Sequence, residues 1–172
     1  DHMSKLFRVT DQVVFSFDGD AAGRRAAQKA LRVALPLATD VRTVKFLFLP
    51  PEHDPDSFVR AHGKAAFEAE IKQATPLSRF VLDVASEDLD LSTAEGRAQT
   101  VARSAELWQQ LPPGALAQQV LGDLAERVRM DTQQVLASWR VTGSRHVRQV
   151  APSNTGYSGS MQGLPPENWR QH

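Results

Sequence analysis

Residues 13–20 read Val-Val-Phe-Ser-Phe-Asp-Gly-Asp, and this stretch decides the fold of the chain. The segment from Val13 to Phe17 is mostly apolar and rich in β-branched and aromatic side chains, which predicts a short buried strand. The polarity then changes abruptly, so that the carboxylates of Asp18 and Asp20 follow the carboxyl end of that strand. Ligands of open α/β sheets bind beyond the carboxyl ends of the strands. This pair is therefore the candidate site, and its oxygens suit a hard cation such as Mg²⁺.

A βαβ unit extends from this strand. Residues 21–38 carry apolar side chains on one side of a predicted helix and basic side chains on the other, with Pro36 expected to kink or fray the last turn. The basic arc contains Arg24, Arg25, Lys29 and Arg32. A second strand is predicted at residues 43–49, and the order of elements predicts a parallel pair with a right-handed crossover. The first-turn amides of the helix can receive an anion, although the arc also fits a solvated surface.

A second acidic motif follows the second strand. Asp54 precedes Pro55, which is the typical start of a helix, so Asp54 and Asp56 lie where a strand end meets a helix start. The simpler interpretation makes Asp54 an N-cap and Asp56 a favourable charge in the first turn. His53 and His62 have no second histidine or acid at metal-ligand spacing, and we expect both to be solvated loop residues.

The chain divides by composition into three parts. Residues 1–74 form the α/β part, and residues 75–141 are predicted to form short amphipathic helices that pack on one another, the first opened by Thr75-Pro76. Residues 142–172 lack an apolar period and are predicted to be a flexible linker or tail.

Composition narrows the possible classes of protein. The 172 residues are 41% hydrophobic, and 20 Lys and Arg balance 20 Asp and Glu, so no overall charge indicates a nucleic-acid or membrane partner. The absence of cysteine excludes a disulfide, a thiolate zinc site and a cysteine nucleophile. The sequence contains no apolar run of the roughly 20 residues that a membrane helix needs. A soluble cytoplasmic protein is the expectation.

Taken together, these motifs closely resemble the Toprim catalytic core of bacterial DnaG-type DNA primases. The resemblance rests on Phe17-Asp18-Gly19-Asp20, Ala22-Gly23-Arg24, Phe46-Leu47-Phe48-Leu49-Pro50 and Asp54-Pro55-Asp56-Ser57. It covers residues 1–140 and includes Leu6 and Phe7, which look like the helix before the Asp-Gly-Asp strand. It implies an α/β fold, a partial Toprim unit with a parallel βαβ arrangement, followed by an all-α helical subdomain.

The resemblance also implies an activity and roles for individual residues. The family synthesises short RNA primers on single-stranded DNA by metal-dependent nucleotidyl transfer. By this resemblance, Asp18 and Asp20 ligate the catalytic Mg²⁺ or Mn²⁺, and Asp56, with Asp54, borders the metal site. Clustered carboxylates repel one another unless a cation lies among them, which agrees with such a site. The resemblance further implies that Arg24 and Arg25 contact phosphate.

Several features of the family are missing from the sequence. The Glu-Gly-Tyr-Met-Asp-type first Toprim motif is absent, and so are the amino-terminal zinc-binding domain, the basic template-holding subdomain and any recognisable carboxy-terminal helicase-binding domain. We therefore expect a primase fragment that makes no primers by itself. The implied partners are a single-stranded DNA template and ribonucleoside triphosphates, with a replicative helicase and single-strand-binding protein bound through regions outside this chain. No membrane partner is expected, and the location is the bacterial cytoplasm at the nucleoid.

Two alternatives remain open. The chain could be a non-catalytic helical docking or scaffold module of the replisome. It could also belong to another Toprim enzyme, a topoisomerase or a recombination-associated nuclease, which shares acidic strand ends. The Ala-Gly-Arg helix start and the Asp-Pro-Asp-Ser motif followed by helices favour primase over these enzymes.

Overall fold

The computed structural model describes the backbone of residues 10–150 and the side chains of residues 10–141. The elements are, in order, β1 (Gln12–Asp18), α1 (Ala21–Ala34), a 3₁₀ turn (Leu35–Leu37), β2 (Thr43–Leu49), α2 (Pro55–His62), α3 (Lys64–Gln73), β3 (Thr75–Pro76), α4 (Leu77–Ala85), α5 (Ala94–Gln109), α6 (Ala115–Arg127) and α7 (Thr132–Val150). The chain divides into two compact units, residues 1–139 and residues 140–172. The helix expected around Leu6 and Phe7 lies outside the described residues.

The sheet confirms the predicted parallel pair and adds a strand. β1 runs parallel to β2 with Asp18 opposite Leu49, so both strands end at the same edge. The expectation that β1 is a buried strand was wrong: in the sheet that the structure describes, it is an edge strand in which only Val13 is buried. β3 pairs antiparallel with β2, with Thr75 opposite Phe46. Thr75-Pro76 was expected to open a helix, and a helix does begin directly after it, but the short strand at these two residues was not predicted. Both residues are extended against β2, and α4 begins only at Leu77, with Pro76 as its cap residue.

Helix α1 begins where its sequence predicts, but regular helix ends four residues before the expected residue 38. Its buried side consists of small and aliphatic residues, among them Ala27 and Leu31, which are fully buried. Regular helix stops at Ala34, and the 3₁₀ turn contains Pro36. Proline lacks the amide hydrogen that an α-helical turn requires, which explains the frayed end.

The core is centred on β2, the middle strand, which is buried on both faces. Phe46 is fully buried on the side of α1 and α4, whereas Leu47 and Leu49 pack on the other side against Phe58 of α2. An aromatic stack lies on the first side and contains Phe15, Phe17, Phe46, Phe48 and Phe80. Phe80 belongs to α4, so one apolar core joins the sheet to the helices that follow it.

Tryptophan side chains tie the later helices together. The indole Nε1 of Trp108 in α5 donates to the carbonyl of Ala117 in α6 at 2.8 Å, and Trp139 in α7 donates to the carbonyl of Val101 at 2.8 Å. The predicted α/β part followed by helices is thus confirmed. Across residues 10–150, no helix is long and apolar enough to cross a membrane.

Helix α7 is longer than expected. It continues to Val150, whereas residues from 142 onward were predicted to be a flexible tail. The apolar period does end near residue 141, but no proline interrupts the helix before Pro152, and helices end readily just before a proline. The rest of the predicted tail, residues 151–172, lies outside the described residues.

Candidate active site at the strand ends

The Asp18-Gly19-Asp20 turn passes very close to the end of β2. The amide of Gly19 donates to the carbonyl oxygen of Leu49 at 2.9 Å. A Cβ at position 19 would lie 2.9 Å from that same oxygen, closer than Cβ atoms normally approach. A glycine therefore allows the turn to follow the sheet edge while Asp18 and Asp20 remain exposed.

The start of α1 is built around a second close approach. Oδ1 of Asp20 accepts a hydrogen bond from the amide of Gly23 at 2.7 Å, which makes Asp20 the N-cap of the helix. A Cβ at position 23 would lie 1.8 Å from the carbonyl oxygen of Asp18, so this helix start fits against the strand end only with glycine. The helix thus fixes the backbone that carries both acids.

The second acidic motif forms a capping box at the start of α2. Oδ1 of Asp54 accepts from the amide of Ser57 at 2.8 Å, and Oγ of Ser57 accepts from the amide of Asp54 at 2.9 Å. The Ser57 amide stabilises the charged form and holds the pKa of Asp54 below its usual value. Asp56 is exposed in the first turn. The N-cap interpretation of Asp54 is confirmed, and its place beside a metal stays a prediction.

All four acids lie at or after the carboxyl ends of β1 and β2, which end at one edge of the sheet: Asp18 is the last residue of β1, Asp20 follows it, and Asp54 and Asp56 follow β2. They do not converge on one point: among the side chains of residues 10–141, no group of three or more acids, histidines or cysteines could hold a metal ion. The structure brings Asp18 and Asp20 together on one turn and Asp54 and Asp56 on the next.

The basic arc of α1 is divided between two roles. The guanidinium of Arg24 lies 5.5 Å from the ring centroid of Phe48, a cation–π contact that holds this side chain near the sheet. Arg25 is exposed. Arg32 pairs with Glu106 of α5 at 2.7 Å, so the far end of the arc contacts protein. Only Arg24 and Arg25 lie near the strand ends, and their contact with phosphate stays a prediction.

Comparison with protein families identifies a primase segment within the helices. A family model described as the DnaB-helicase binding domain of primase matches residues 78–133. The DNA primase of Neisseria meningitidis serogroup A is 43% identical over 153 residues, which are 87% of this chain and 26% of that protein. The DNA primase of Escherichia coli K12 is 48% identical over 112 residues, 65% of this chain and 19% of that protein.

Solved structures of primase domains also match this chain. A DnaG primase catalytic domain bound to single-stranded DNA matches 78% of this chain and 43% of that chain at 43% identity, with a TM-score of 0.74. A DNA primase domain from Pseudomonas aeruginosa matches 80% of this chain and 43% of that chain at 38% identity, with a TM-score of 0.73. This chain is homologous to part of the bacterial DnaG-type DNA primases. It spans about a quarter of the length of the Neisseria relative.

The family assignment confirms the resemblance read from the sequence and corrects one expectation. A helicase was expected to bind through regions outside this chain, yet residues 78–133 match a family model described as the DnaB-helicase binding domain of primase. The helical pattern of α4 to α6 shows only that these segments pack together. Apolar stripes look alike in a core helix and in a docking helix, so periodicity could not separate the two.

The donor set at the strand ends fits part of a Mg²⁺ site. Asp18 and Asp20 present exposed carboxylates, and the cap hydrogen bond of Asp20 is made by Oδ1. Mg²⁺ is typically held by one or two carboxylates together with water and phosphate oxygens, so a pair suffices as the protein's share. The chemistry therefore suits the cation that DnaG-type primases imply.

Sequence reasoning missed two features. His53 and His62 were expected to be solvated loop residues, but their ring centroids lie 5.3 Å apart, and Nδ1 of His53 is 3.0 Å from Oγ of Ser57. Asp40 was not singled out, yet its carboxylate accepts from the amides of Ala115 and Leu116 at 3.1 and 2.8 Å. Each of these contacts joins residues that are distant in sequence or lie at opposite ends of a helix. No local spacing in the sequence could have predicted them.

Proposed function

We propose that this chain is part of a bacterial primase that synthesises short RNA primers on single-stranded DNA from ribonucleoside triphosphates, in the cytoplasm at the nucleoid. The observation that carries the proposal is the exposed Asp18-Gly19-Asp20 turn, fixed between β1 and α1 by Gly23. The 43% identity to DNA primases over most of the chain supports it independently.

In this proposal Asp18 and Asp20 hold a Mg²⁺, or a Mn²⁺, together with residues outside this chain. The cation, when bound, binds triphosphate oxygens and stabilises the charge that develops during nucleotidyl transfer. The chain's own residues orient the cation and the phosphates. Arg24 and Arg25 near the start of α1 contact incoming phosphate, while Asp54 and Asp56 at the start of α2 border the site.

The decisive experiment compares matched carboxylate variants in the full-length parent primase. Asp18→Asn and Asp20→Asn remove charge but keep size and shape, so we expect near-complete loss of primer synthesis with template binding retained. Asp90→Asn is the control, because Asp90 is also an exposed acid at a helix start and lies outside the candidate site. Primer synthesis at the parental rate by the Asp18→Asn, Asp20→Asn double variant would overturn the proposal.

The purified 172-residue chain tests the fragment interpretation. Because a glutamate-bearing first motif of the family is not in this sequence, we expect no primer synthesis on a single-stranded template with Mg²⁺ or Mn²⁺. Primers made by this chain alone would contradict that expectation.

A second function, helicase binding, is favoured by the family model that matches residues 78–133. We propose that α4 to α6 contribute to a replicative-helicase contact, with single-strand-binding protein reached through other parts of the parent. Co-sedimentation of the chain with purified helicase of the same bacterium tests it. Binding that survives Asp18→Asn and Asp20→Asn separates docking from catalysis, and absence of binding by the chain counts against the docking role.

A further inference from the structure

The loop before α2 and the last turn of α2 bring two imidazoles together. His53 and His62 have ring centroids 5.3 Å apart, with the ring planes at 79°. Phe58, which is 7% exposed, lies against both, its centroid 5.8 Å from His53 and 4.7 Å from His62. His53 is half-buried and His62 is exposed, so ions from solvent can reach the pair.

A hydrogen bond orients the His53 ring. Oγ of Ser57, which accepts from the Asp54 amide at 2.9 Å, lies 3.0 Å from Nδ1 of His53. A serine hydroxyl has one proton to donate, and the Asp54 carbonyl lies 3.2 Å from the same Oγ. In the neutral tautomer in which Nδ1–H donates to Oγ, the lone pair on Nε2 is the one that a metal binds.

The spacing of the rings matches a metal site. Imidazoles bound to a tetrahedral Zn²⁺ at an N–Zn distance of about 2.0–2.1 Å have ring centroids about 5 Å apart. A histidine ligand also commonly donates its other ring N–H to a fixed oxygen, and Oγ of Ser57, 3.0 Å from Nδ1 of His53, is placed to be that oxygen. We propose that His53 and His62 form a binding site for a late first-row divalent cation, for which Zn²⁺ is the probe, with water completing the coordination.

This site is distinct in chemistry from the carboxylates at the strand ends. Imidazole nitrogen prefers Zn²⁺, Ni²⁺ and Cu²⁺, whereas Mg²⁺ prefers oxygen ligands. A bound ion would link the loop that carries His53 to the end of α2 that carries His62. It would thereby brace the capping box of Asp54 without using its carboxylate.

Zinc titration of the untagged chain by calorimetry, with millimolar Mg²⁺ present to occupy oxygen sites, tests the proposal. We expect one equivalent of Zn²⁺ to bind and to raise Tm. His53→Ala and His62→Ala should each weaken binding by more than the roughly 10–100-fold caused by loss of an outer partner. Ser57→Ala should weaken zinc binding by an amount within that roughly 10–100-fold range. Ser57→Thr, which keeps the hydroxyl, should restore the affinity for zinc.

The chain supplies its own controls. It contains three other histidines, at positions 2, 146 and 172, and replacing all three by Ala should leave zinc binding unchanged. Asp18→Asn with Asp20→Asn should also leave it unchanged, which separates this site from the proposed active site. Absence of binding by the parent chain, or binding that follows His2, His146 and His172 instead of His53 and His62, would overturn the proposal.

Discussion

The starts of α1 and α5 use the same backbone arrangement with different side chains. In α1, Asp20 caps the helix by accepting from the amide of Gly23 at 2.7 Å, and in α5, Thr93 accepts from the amide of Gly96 at 3.0 Å. In each case the glycine packs against a carbonyl oxygen of the preceding segment. A Cβ would lie 1.8 Å from that oxygen at position 23 and 1.9 Å at position 96.

The difference between these helix starts lies in what the acids contact. At α5, Asp90 accepts from the Ser92 hydroxyl and from its amide at 2.9 Å, and these bonds, the hydroxyl first, hold the pKa of Asp90 below its usual value. At α1, Asp18 and Asp20 are exposed at the end of a strand. The same solution for beginning a helix therefore serves structure in one place and presents a candidate site in the other.

The largest effect on stability is expected from adding a Cβ at Gly23 or Gly96, where the backbone of the preceding segment lies closest. Gly23→Ala and Gly96→Ala both place a methyl group inside a carbonyl contact, and the backbone must shift to relieve it. We expect each to lower the free energy of unfolding by about 3 kcal/mol or more, measured by urea denaturation. Gly63→Ala is a poor control because φ is 91° there, whereas Gly122→Ala on α6 meets nothing within 4 Å and should be tolerated. Equal stability of Gly23→Ala and Gly122→Ala would contradict the close packing.

A smaller effect is expected from removing the cap of α5. Thr93→Val keeps the shape of the side chain but loses the oxygen that accepts from Gly96 and donates to the Asp90 carbonyl. We expect a loss of about 1–2 kcal/mol in the free energy of unfolding, with Thr93→Ser close to the parent. A Thr93→Val protein as stable as the parent would show that this cap contributes nothing.

The hydrogen bonds from the start of α6 to the Asp40 carboxylate should make the stability of the chain depend on pH. The amides of Leu116 and Ala115 stabilise the carboxylate of Asp40 and lower its pKa. The stability that these hydrogen bonds contribute is therefore fully present above the pKa of the unfolded state, about 3.9. It is lost as the pH falls through the lower pKa of the folded state. We expect Asp40→Asn to lower Tm at neutral pH, by less than Thr93→Val, because the Asn side chain keeps an oxygen that can still accept from one of the two amides, whereas Val has none. The difference in Tm between parent and variant should shrink in acid. A difference that is the same at both pH values would contradict this.

The smallest effect on stability, with the largest on function, is expected at Asp20. Asn caps helices about as well as Asp, so Asp20→Asn should change the free energy of unfolding by less than about 0.5 kcal/mol. Thermal unfolding of the chain measures the change in stability. Primer synthesis by the full-length parent with the same substitution measures how much the activity depends on the negative charge. A strongly destabilised variant would contradict the expectation that Asn replaces Asp as the cap of α1.

The sequence predicted the elements whose signals are local. The apolar run that ends at Asp18, the Pro36 break and the Asp54-Pro55 helix start each depend on neighbours within a few residues, and the structure places β1, the end of α1 and the start of α2 accordingly. The parallel pairing also followed from the order of elements. The Asp18 and Asp20 pair was found in the same way, because a polarity change at a strand end is visible in one short window.

Only the tertiary structure decided the features that join distant segments. The pairing of Thr75 with Phe46, the contact of Asp40 with α6 and the approach of His53 to His62 depend on how the chain returns upon itself. Periodicity describes which side of one element is apolar, but carries no information about which other element covers it. The sequence by itself located β1, β2, the starts of α1 and α2 and the acids along this chain, and the packing around β2 decided where the third strand lies and which side chains meet.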